Sequence, residues 1–122
     1  MVSREEFDQL VVDALASLPI EILNRMDNVA VTVQEWPSRY QLDSSRVPPG
    51  STLFGLYEGV PLTQRSSHYG MVVPDRITIF RGPLTRYFAT SEAIAEQVRK
   101  TVVHEIAHYF GMGEEHIARL GY

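Results

Sequence analysis

The chain has 122 residues, 44% hydrophobic and 21% charged, a balance that suits a folded globular protein and lies far from disordered or membrane-embedded compositions. A formal charge of -4, from 11 Lys and Arg against 15 Asp and Glu, leaves no basic footprint for nucleic acid, so that partner is set aside. With no cysteine, disulfides and thiolate metal cages are excluded, and any metal must be held by histidine and carboxylate.

Length makes residues 1–122 one expected domain around a single core, acting as a monomer or homodimer. The first residues carry Glu5, Glu6 and Asp8 and no unbroken apolar run, and no spanning stretch follows. Neither a secretory leader nor a membrane partner is expected, which makes the cytoplasm the default location. Ser3-Arg4-Glu5-Glu6 reads as a capping box, followed by Phe7, Leu10, Val11, Ala14, Leu15 and Leu18 at helical spacing. Pro19 opens a second short helical piece, Ile20 to Met26, closed by Asp27-Asn28. Val29 to Trp36 alternates and is rich in β-branched residues, predicting a strand stopped by Pro37.

Ser38 to Thr52 loses the apolar pattern and reads as a surface loop, and Leu53 to Gly59 as the second strand. Leu62 to Pro74 is polar, with Met71-Val72-Val73 as a short extended piece. Arg76 to Arg81 then alternates apolar with polar, predicting a half-buried strand near a sheet edge. Gly82-Pro83 ends it, and Leu84 to Phe88 suggests a short helical turn. Thr90 or Ser91 caps the last long helix, Glu92 to Tyr109 or Phe110, whose second half is apolar on most of its circumference and so is expected to be buried. Gly111 supplies a left-handed stop, after which Glu114 to Leu120 returns to helical spacing.

That long helix carries His104-Glu105-Ile106-Ala107-His108, an H-E-x-x-H sequence. Two imidazoles four residues apart lie on one helix face, so both reach one ion at ~2.0–2.1 Å, and the glutamate between them reaches a water activated there. Such a pattern points to zinc, with His104 and His108 as ligands and Glu105 as the general base. Isolated His68 and His116 lack this support. The third ligand is expected just past Gly111, where Glu114 completes an H-E-x-x-H-x-x-G-x-x-ligand spacing; Glu115 and His116 compete, because a turn containing Gly113 can shift the register by a residue or two.

The motif His104-Glu105-Ile106-Ala107-His108-Tyr109-Phe110-Gly111, preceded by Gly55-Leu56-Tyr57-Glu58-Gly59-Val60-Pro61-Leu62 and by Pro74-Asp75-Arg76-Ile77-Thr78-Ile79-Phe80-Arg81-Gly82-Pro83-Leu84, resembles the small bacterial zincin-like metallopeptidases, or mini-zincins. The resemblance covers the second half of the chain well and the N-terminal helix and strand loosely. It implies an α+β fold: a minimal zincin-like domain with a small twisted mixed sheet packed against an N-terminal helix and the H-E-x-x-H helix. It also implies a zinc peptidase acting on a peptide or protein substrate. The family usually places aspartate where this chain has Glu114, so the carboxylate is kept and a methylene added.

Further expectations concern the surroundings of the metal. A peptide would add along an exposed edge of the Arg76 to Arg81 strand or of Met71 to Val73. Tyr122 is a candidate floor beneath the histidines, and Tyr57, Tyr69 and Tyr109 are candidate oxyanion donors, none singled out. Two rival readings stand beside the peptidase: a non-catalytic binding or regulatory module retaining the metal site, and a closed structural site completed by His116 or Glu115.

Overall fold

Ser3 Oγ accepts the Glu6 amide at 3.1 Å and Glu6 Oε1 accepts the Ser3 amide at 3.4 Å, closing the capping box from which α1 (Arg4–Ala16) starts. The computed structural model describes residues 2–45, 52–59 and 74–122. Helix α1 buries Phe7, Val11 and Ala14, one face at i, i+4 and i+7, with Leu10 and Leu15 partly buried beside them. Pro19 caps α2 (Ile20–Arg25), and β1 (Val29–Gln34) follows. Strand β1 stops two residues earlier than expected, where the Glu35 carbonyl accepts the Gly82 amide at 2.7 Å.

The expected surface loop from Ser38 contains a helix, α3 (Arg39–Ser44). Its start is a second capping box, with the Gln41 amide on Ser38 Oγ at 3.1 Å and the Ser38 amide on Gln41 Oε1 at 2.8 Å. The S-x-x-Q signature is legible in the sequence, but no apolar stripe follows it. Met71 to Val73 and Pro48-Pro49-Gly50 lie outside the described residues.

Among the described residues, strands β2 (Gly55–Glu58) and β3 (Asp75–Phe80) complete a three-stranded sheet of order β1-β3-β2. β1 runs parallel to β3 from Val29↔Asp75 to Gln34↔Phe80, and β2 antiparallel from Gly55↔Ile79 to Glu58↔Arg76, so the sheet is mixed. The expectation of an edge position for Arg76 to Arg81 is therefore corrected: β3 is the central strand and Arg81 lies beyond it. Its alternation misleads because Thr78 is buried, facing Thr32 on β1 with hydroxyl oxygens 3.4 Å apart. A polar side chain that finds a polar neighbour inside imitates a solvent-facing position.

Helix α4 (Arg81–Tyr87) begins directly after β3, three residues before the expected turn. Pro83 falls in its first turn, where its missing N–H breaks no helical hydrogen bond. Helix α5 (Ser91–Tyr109) is capped by Thr90, whose hydroxyl accepts the Ala93 amide at 3.1 Å, and α6 (Glu114–Arg119) ends the described helices. The arrangement is α+β: α5 packs between α1 and β2, and Ile94, Val98, Val102 and Ile106 meet Phe7, Val11, Ile77 and Ile79 in one core. Gly55 permits the close approach of β2, since a Cβ there would stand 2.6 Å from Thr101 Cγ2 on α5.

Candidate metal centre

Only one side of the histidine-bearing end of α5 is buried. Val102, Val103, Ile106 and Ala107 face the core, while His104 is half-buried and His108, Tyr109 and Phe110 are exposed, so burial around most of the circumference is corrected. The His104 and His108 rings stand on the outward side with centroids 6.0 Å apart and planes at 77°. Hydrophobic packing thus fixes the helix and leaves both imidazoles at a solvent-accessible surface.

The turn after α5 delivers the third group. Gly111 adopts φ +72°, its amide bonds the His108 carbonyl at 3.3 Å, and the Met112 amide bonds the Ala107 carbonyl at 2.7 Å. These are the two bonds of a Schellman C-cap, accompanied by burial of Met112. The chain therefore reverses immediately after the second histidine and starts α6 at Glu114. Ligand atoms of His104, His108 and Glu114 all lie within 4.8 Å of one another, with His108 Nε2 3.5 Å from Glu114 Oε1. Donors ~2.0–2.1 Å from a tetrahedral zinc are separated by about 3.3 Å, so the set fits zinc with small side-chain adjustments. Two imidazoles and a carboxylate are also a donor set of hydrolytic zinc sites.

The competing third ligands lie elsewhere. Glu115 is exposed and outside this group, and His116 is turned away to pair with Glu21 on α2. His68 and Tyr69 fall outside the described residues.

Glu105 lies outside this group, against strand β2. Its Oε1 accepts the Tyr57 amide of β2 at 2.7 Å, which locks the carboxylate between α5 and the sheet. Burial pushes the Glu105 carboxyl above the usual glutamate range, against the opposing pull of the Tyr57 amide and of His108 and His104. His104 and Glu105 line a groove of about 380 Å³ between α5 and β2, with Phe54, Gly55, Lys100 and Thr101 among its walls. Because β3 is paired on both sides, the expected peptide-adding edge at Arg76 to Arg81 is not available. Strand β2 pairs with β3 on one side, and on its other side the Tyr57 amide bonds the Glu105 carboxylate.

The tyrosines divide. Tyr57 donates its hydroxyl to Asp75 Oδ2 at 2.5 Å and stacks on Tyr109 with centroids 4.0 Å apart, while Phe110 packs edge-on to both rings. Tyr57 and the buried Asp75 thus tie Glu105 to the central strand, a link no motif announces because the partners come from different strands. Tyr122 is placed by a second Schellman turn, through Gly121 at φ +93° and the Tyr122 amide on the Ile117 carbonyl, and its side chain packs on the core.

A family model described as zincin-like metallopeptidase matches residues 26–122. No curated protein matches the chain. Among solved structures, a conserved hypothetical protein from T. thermophilus is similar over 89% of this chain and 94% of that chain, with 17% identity and a TM-score of 0.57. At that identity the likeness shows the fold. Among the described residues no helix is long and apolar enough to cross a membrane.

Proposed function

The chain belongs to the zincin-like metallopeptidase family, and from that premise we propose that it is a zinc-dependent metallopeptidase in which His104, His108 and Glu114 hold the metal and Glu105 is the general base. The observation that carries the reading is the convergence of three ligand atoms within 4.8 Å from two helices, beside a glutamate anchored to the neighbouring strand. Zinc, when bound, supplies Lewis acidity at a site with three protein ligands and brings the pKa of water toward ~7. Glu105 takes a proton from the attacking water and passes it to the leaving amine, and the Tyr57 amide keeps its carboxylate aimed while it does so.

The substrate is an extended peptide lying in the groove between α5 and β2. Gly55 lines that groove without a side chain to fill it, and the side of β2 turned away from β3 is where a peptide backbone would pair, beside the Tyr57 amide that Glu105 already holds. A peptide hydroxamate, which chelates zinc only where a coordination position is open, tests the reading. Isothermal titration is expected to show it binding the zinc-loaded protein at least about 100-fold more tightly than the metal-free protein. Equal affinities for the two forms would mean a closed site, as in a structural metal, or no zinc there.

A further inference from the structure

The groove between α5 and β2 is walled on its helix side by one polar stripe. Gln97, Lys100, Thr101 and His104 recur at i, i+3, i+4 and i+7, so they share a face of α5, and all four line the groove. Among the described residues Lys100 is the basic side chain of that lining, and it is the only lysine in the chain. The facing wall, Thr52, Leu53, Phe54 and Gly55, carries no charged side chain. The acid of the lining, Glu105, lies five residues further along the helix and is held to the Tyr57 amide at 2.7 Å.

Lys100 is exposed, and the acid one turn before it is already taken: Glu96 is paired with Arg99 at 2.7 Å. Among the described residues no carboxylate pairs with Lys100. A second donor stands next to it. Thr101 Oγ1 accepts Gln97 Nε2 at 3.1 Å, which leaves the hydroxyl proton for another acceptor. An ammonium and a hydroxyl on one wall, with no acid opposite, suit the two oxygens of a carboxylate, which makes its strongest hydrogen bonds to charged donors. The low-dielectric walls of a cleft also focus the field of a single cation on what enters it.

Spacing says where on a substrate that carboxylate sits. The turn of helix from Lys100 to His104 rises about 6 Å, and an extended peptide advances about 3.3 Å per residue. The carboxylate therefore falls within two residues of the bond presented to the metal group. We propose that Lys100, with Thr101 beside it, is a specificity-determining residue that selects peptides carrying a carboxylate within two residues of the scissile bond, either on an Asp or Glu side chain or at the peptide's own C-terminus. This rests on the peptidase reading of the groove and names the substrate class of that same site.

The test reads binding rather than turnover. Peptide hydroxamates are made in two series, with the peptide extending from either end of the zinc-binding group, and carry Glu or Gln at the first or second residue. In the series that ends in a C-terminus, that end follows the first or second residue as free acid or amide. Titrated into the zinc-loaded wild-type protein, the acid member of at least one pair is expected to bind about 10-fold more tightly than its amide partner, and the gap is expected to narrow as salt is raised. Lys100→Met, close to lysine in shape but uncharged, is expected to abolish the gap while binding the amide members as wild type does. Lys100→Arg is expected to keep it. A gap carried by Glu assigns the carboxylate to a substrate side chain, and one carried by the free acid assigns it to the substrate terminus; either supports the proposal. Equal binding of every acid and amide pair, or a gap that Lys100→Met retains, overturns it and leaves the peptidase reading standing. If no hydroxamate prefers the zinc-loaded to the metal-free protein, the peptidase reading fails and the proposal with it.

Discussion

Alanine at His104 or at His108 is expected to weaken zinc binding by more than about 100-fold, beyond what loss of an outer partner costs. Each imidazole is one of three donors in the proposed set, and no cysteine stands anywhere in the chain to replace it. The fold is expected to survive, because α5 is held by Val102, Val103, Ile106 and Ala107 while His108 is exposed and His104 half-buried. The metal-free variants should therefore unfold close to metal-free wild type, and only wild type should gain from added zinc. That gain is about 4 kcal/mol when free zinc stands at ~1,000 times its dissociation constant. Metal content after dialysis, read with the unfolding midpoint, checks both halves. A His108→Ala protein that keeps one equivalent of zinc would place the metal elsewhere.

The second large effect falls on turnover and spares the metal. Glu105→Gln is expected to lower kcat by about 10²–10⁴, the usual contribution of a general base, while zinc content stays at the wild-type level. The amide keeps an oxygen to accept the Tyr57 N–H, so the side chain stays in place and loses the capacity to take a proton. KM should change little, since glutamine keeps the shape of the groove wall that Glu105 forms. Steady-state kinetics on a peptide substrate separate the two parameters. A variant with wild-type kcat would remove Glu105 from the proton transfer.

The parts of the candidate site that are legible in the sequence are those set by local geometry. The histidine pair depends on one helical turn, and the reversal at Gly111 depends on a left-handed residue that glycine provides, so the spacing alone brought Glu114 forward as the first choice among three. The α+β class followed from alternating and helical patterns together with the family likeness. Strand order was not legible, because whether β3 is central or at an edge depends on what pairs with it, and the buried Thr78 looks like an exposed residue until Thr32 is known to face it. Helix α3 is hidden for a different reason: Ser38 and Gln41 carry the cap, but the short polar helix they start has no apolar stripe. The bonds from Tyr57 to Glu105 and Asp75, and the approach of His116 to Glu21, join residues on different elements, and nothing in a single sequence marks such pairs.

Hydrolysis of a diverse peptide library by the same preparation in three states, zinc-loaded, stripped with a chelator and reloaded, tests the peptidase reading most directly. Cleavage is expected in the first state, its loss in the second and its return in the third, with the Glu105→Gln protein inactive at equal zinc content. Cleavage that persists after the zinc is gone, or a fully loaded protein that cleaves no peptide in the library, would contradict it.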